Sequence, residues 1–145
     1  MRFLIVIMFL ALTNIAGAQS KNVKSLNWVH SNIIDDYSTC IAFFDLGRDI
    51  LKELEKKELA QIYESHIQTL GKRITMLGKK SNFNDDILNK KLNLAYQTLK
   101  NKINFAVEVK NPSIVLDKYG PFCLDVFQTP ENRMKYWADK AVLEK

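Results

Sequence analysis

Residues 26–44, LNWVHSNIIDDYSTCIAFF, decide the fold class. Their apolar side chains fall at Leu26, Val29, Ile33, Tyr37, Cys40, Ile41 and Phe44, steps of three and four that line up on one stripe of an α-helix. Leu51 keeps the phase beyond Gly47, so the spacing predicts a helix from Leu26 to about Leu54, weakened at the glycine. Downstream, Leu59, Ile62, Tyr63, Ile67, Leu70, Ile74 and Leu77 repeat the pattern. It stops at Gly78, beside Lys79 and Lys80, whose charges suit the negative end of a helix dipole. Asn84-Asp85-Asp86, a capping residue and two acids, opens a third stripe of Leu88, Leu92, Ala95, Leu99, Ile103 and Ala106. The β-branched run from Val107 to Val109 has strand character, but no second strand offers itself as a partner. Asn111-Pro112 closes the element, because the residue before a proline avoids helical angles.

The last third is more broken. Ser113 to Tyr119 reads as a short helix, Gly120-Pro121 as an interruption, and Phe122 to Phe127 as another turn or two around Cys123. Thr129-Pro130-Glu131 is a restart with a cap, a proline at the first helical position and an early acid. Met134, Trp137, Ala138 and Ala141 give that final helix its apolar face. The expectation is an all-α, single-domain bundle of four to five helices, with neighbours antiparallel across short connections.

Upstream of the first stripe, Met1-Arg2 supplies a positive start, Phe3 to Leu12 an apolar run, and Ala16-Gly17-Ala18 the small-x-small end of a cleavable export signal. Crossing a bilayer takes about twenty apolar residues, roughly twice this run. Residues 1–18 are therefore expected to be a signal peptide and residues 19–145 the bundle domain, exported to the periplasm or beyond the cell. In that oxidising setting Cys40 and Cys123, the only cysteines, are expected to pair and staple the bundle, two unpaired thiols being the alternative. Apolar residues at 47% and charged residues at 26% of 145 exclude a disordered chain. Five glycines and three prolines exclude a collagen-like one.

The inventory of chemical groups is sparse. There is no Gly-x-Ser-x-Gly elbow, phosphate-binding loop or glycine-rich dinucleotide turn. Asp35 with Asp36, Asp45 with Asp49, and Asp85 with Asp86 are local pairs, whereas a hydrolytic site needs carboxylates facing across a cleft. His30 and His66 both fall on predicted interior faces, so a haem- or metal-binding bundle is an alternative. Asn27 and Tyr63 stand where a di-iron site would place glutamates. No cofactor is expected, and catalysis, as in a small envelope hydrolase, is a further alternative only.

Binding features are more numerous. Nine basic residues against three acids fall between residues 71 and 110, with Lys79, Lys80, Lys90 and Lys91 at their centre. Such a region suits an acidic protein, anionic lipid or wall polymer, although helix ends and solubility explain it as readily. With export and one arginine in the region, nucleic acid is not an expected partner. Ile87, Leu94 and Phe105 form a second apolar row on the third helix, about 140° from the main stripe. A helix with two apolar faces lies centrally in its bundle, the commoner arrangement, or offers one face to a partner. Arg133 and Tyr136 lie off the last helix's stripe and Trp28 opposite the first, all of them residue types that anchor interfaces. In size, export and single disulfide the chain resembles in type the small helical inhibitor and immunity proteins of bacterial envelopes, with no residue motif shared. That likeness implies a non-catalytic protein-binding module (inhibitor, immunity protein or chaperone) whose partner is another exported or envelope protein.

Overall fold

Helix α1, Arg2–Glu53, is the element on which the other four pack. The computed structural model describes the backbone of residues 2–143 and the side chains of residues 26–143. In it α2 spans Lys57–Lys80, α3 Asp85–Glu108, α4 Ser113–Gln128 and α5 Pro130–Leu143, and among the described residues there is no strand. The all-α bundle expected from the stripes is thus the fold, with five helices. Side chains of the expected signal peptide, residues 1–18, lie outside the described residues. Among those described, no helix is long and apolar enough to cross a membrane.

The stripe of α1 is the centre of the core. Ile33, Ile34, Cys40, Ala42 and Phe44 are buried against Leu70, Ile74 and Leu77 of α2, Leu99 and Ala106 of α3, and Val115, Tyr119 and Val126 of α4. Cys40 and Cys123 are bonded to each other with their Cα atoms 5.2 Å apart, joining α1 to α4.

Several local expectations are corrected. Helix α1 begins far upstream of Leu26, at Arg2. It also runs unbroken through Gly47, where a Cβ would stand 2.7 Å from Cε2 of Tyr63. The glycine admits that ring rather than weakening the helix. Likewise α2 passes through Gly78, which makes room for Leu88, and turns instead at Asn82, held at φ 55°. Asparagine tolerates this left-handed conformation because its short side chain bonds locally. Helix α3 absorbs Val107, and the chain turns at Lys110, φ 52°.

Residues 113–128 form one helix, not two. Pro121 lacks the N–H that would bond to Asp117, but both residues are exposed, so water takes the freed carbonyl. Buried Tyr119 and Cys123 on either side hold the helix on α1. The Thr129 hydroxyl, expected to cap α5, donates back to the Asp125 carbonyl at 3.0 Å. Met134 and Ala138 are exposed; Arg133, Trp137 and Ala141, four residues apart, form the face of α5 that packs.

Candidate functional site

The bundle is unevenly covered. Helix α5 packs on the first part of the α1 stripe, where Trp137 meets Trp28 edge-to-face with centroids 5.6 Å apart. Near the other end of the stripe the walls are Phe43, Gly47, Ile50 and Leu51 of α1, Tyr63 of α2, and Ile103, Ala106 and Val107 of α3. The α3–α4 turn and the start of α4 add Lys110, Pro112, Val115 and Leu116. These residues enclose an open-sided groove of about 460 Å³. It exists because Gly47 contributes no side chain and because Ile50, Val107 and Leu116 point outward beside it, each about half exposed or more. The Tyr63 ring lies against Gly47 and meets Phe44 edge-to-face at 5.1 Å.

Among the described residues, Lys110 is the only formally charged group in this lining. Its left-handed backbone is set by its own N–H bonding to the Val107 carbonyl at 3.0 Å and by the Asn111 N–H bonding to Ala106 at 2.8 Å. Glycine is the usual occupant of such a position, and lysine there costs about 1 kcal/mol. No single stripe flags this site, because its residues come from the ends of four helices. The available signals were Gly47 inside an apolar stripe and the apolar cluster Val107, Val109, Leu116 around a proline.

The two histidines are not brought together. His30 Nδ1 is 2.7 Å from Ser81 Oγ, whereas His66 lies between Phe44 and Phe127, at 4.8 and 4.0 Å between ring centroids. His30 and Phe44 are fourteen residues apart on α1, about 21 Å along the helix, so one metal or haem iron cannot take both imidazoles. The shared site is therefore corrected. Burial lowers the pKa of both, and the nearby Lys80 charge lowers that of His30 further. Native imidazoles depressed in this way favour folding fully above the unfolded pKa of about 6.5 and lose that contribution as pH falls. Urea titrations at pH 7.5 and 5 are expected to show a smaller acid loss for His66→Phe than for the parent; equal losses would deny His66 this role.

Two of the three acid pairs, Asp35 with Asp36 and Asp45 with Asp49, are taken up by cations. Asp35 pairs with Lys91 at 2.7 Å, and Asp45 and Asp49 flank Arg48, which also reaches Glu64 at 2.7 Å. The Tyr96 hydroxyl donates to Asp45, and burial first and that carboxylate second push its pKa up. Asp36 receives Arg133 Nη2 at 2.8 Å and Trp137 Nε1 at 2.6 Å. Among the described residues no two carboxylates face each other across the groove, and its lining contains none.

Two expected binding residues change role as a result. Arg133 braces α5 onto α1 rather than standing free, and Lys91 ties α3 to α1. Arg73 is also internal: it donates to the Phe127 carbonyl at 3.0 Å, at the negative end of α4. Lys79, Lys80 and Lys90 remain exposed, as does Tyr136, whose ring lies under the Arg133 guanidinium at 4.4 Å. Ile87, Leu94 and Phe105 are 42, 63 and 53% exposed, so α3 is not central and its second row faces solvent. Comparison with protein-family models, curated proteins and solved structures returned no match.

Proposed function

We propose that the chain is an exported, non-catalytic binding module and that the groove between the ends of α1, α3 and α4 is where it binds. The observation that carries this reading is the 460 Å³ hollow whose walls are apolar apart from Lys110 and Tyr63. Ligand pockets run to about 300–1,000 Å³ and are mostly apolar with few polar groups. Export is supported by the leader-like start and by a disulfide, which persists in oxidising compartments. Nile red, an uncharged apolar dye, is expected to bind with one-to-one stoichiometry. Val107→Asp sets a charge at the mouth on a residue 71% exposed, so it spares the fold and weakens the dye by about tenfold or more. An unchanged titration would place the dye elsewhere and remove the groove from the proposal.

A second reading rests on the exposed row of Ile87, Leu94 and Phe105, which runs about 27 Å along α3. It favours an exported or envelope protein as partner, in the manner of an inhibitor, immunity protein or chaperone.

A further inference from the structure

The groove joins an apolar interior to one lysine, Lys110, among its lining residues. Ile103 to Val107 covers about 6 Å of α3, and Lys110 follows just past the helix end, so an occupant lying beside these residues reaches Lys110 with one end. At roughly 30 Å³ for a group the size of water, 460 Å³ holds about fifteen such groups. Among the described residues no carboxylate lines the groove and Lys110 is in no ion pair, which leaves its charge unanswered.

We infer that the groove takes an anionic amphiphile of the fatty-acid class, with a chain of about ten to twelve carbons in the groove and its carboxylate on Lys110. This rests on the reading of the groove as the binding site. An unbranched chain suits the walls, because Phe43, Ile50, Ile103 and Leu116 offer apolar surface and no hydrogen-bonding side-chain atoms. The carboxylate answers the one charge that the fold leaves among the lining residues.

Calorimetric titration with decanoate, decyltrimethylammonium and decanol, all below micelle formation, separates chain from head group. Decanoate is expected to bind the full-length protein at least about tenfold more tightly than the cationic chain. Lys110→Glu reverses that order, and Lys110→Gly, which is free of the backbone strain, brings the two together. Equal affinities in the parent protein, an order untouched by Lys110→Glu, or no binding of any chain overturns the assignment. Because Nile red carries no charge, its titration reports on the groove independently of the head group. Decanoate binding that Val107→Asp leaves intact overturns the assignment by placing the ligand elsewhere.

Discussion

Replacing Cys40 and Cys123 together with alanine is expected to lower the unfolding free energy by about 2–5 kcal/mol. The two cysteines are 83 positions apart, and releasing a loop of that length restores chain entropy worth about 4–5 kcal/mol to the unfolded state, an upper figure. Small domains have net stabilities of about 5–15 kcal/mol, so the variant sits close to its folding threshold. The loss falls on α4, whose helix carries a proline and has no side-chain cap at its start. Both cysteines are fully buried, so alanine is the better probe: serine would add a hydroxyl without an assured partner. Urea unfolding should show a lower midpoint, with an equal or larger slope as the uncrosslinked unfolded chain expands. Thiol titration of the denatured, unreduced protein should find no free thiol. A double-alanine variant within 0.5 kcal/mol, about the error of such comparisons, would mean that the bridge adds nothing the helices do not already supply.

The sequence made the helices legible where a single face is buried along its length. Ile33, Tyr37, Cys40 and Phe44 are buried as their spacing implies, and the Asn84 side chain caps α3 by accepting from the Ile87 N–H at 2.9 Å. Legibility failed where tertiary contact overrides a local signal. Gly47 read as a weak point and Gly78 as an end because glycine is a poor helix former, but each is a point of close approach for a large side chain from a neighbouring helix. Pro121 read as a stop, yet it sits on an exposed face between two anchored residues. On α5 the apolar spacing found Trp137 and Ala141 but also pointed to the exposed Met134 and Ala138; Arg133, which joins Trp137 in reaching Asp36, completes the packed face by a pairing across about 100 positions that no local pattern encodes. The groove was hidden for the same reason. Its walls meet only once four helix ends have converged, whereas the exposed row of α3 could be read from one helix alone.

Arg133→Met is expected to cost about 3–5 kcal/mol at pH 7, and Asp36→Asn less than about 1.5 kcal/mol, although both remove one charge of the same pair. The asymmetry follows from what surrounds each partner. The Arg133 guanidinium lies 4.4 Å from the ring centroid of Tyr136, 5.2 Å from that of Phe122 and 5.6 Å from that of Trp137, and these rings favour a cation whether or not a carboxylate is near. Asp36 has no such support. Its side chain is 12% exposed, and burial raises its pKa despite the opposing Trp137 and Arg133 hydrogen bonds and Arg133 charge. Asparagine keeps an oxygen for Trp137 Nε1 and for the arginine, so little is lost beyond a poorly solvated charge. Methionine fills much of the arginine's volume but strands the carboxylate. The pH dependence separates these causes. A carboxyl raised in the native state favours folding below its unfolded pKa, and that contribution is lost as pH rises through the native pKa. In Arg133→Met the native pKa rises further, so its deficit relative to the parent should shrink on acidification from pH 7 to 4, as Asp36 takes up a proton. In the Arg133→Met/Asp36→Asn double variant the deficit should be small already at pH 7. A deficit in Arg133→Met that stays constant across this range, or persists in the double variant, would mean that α5 is held by arginine's packing on the aromatic rings and not by its answer to a buried carboxylate.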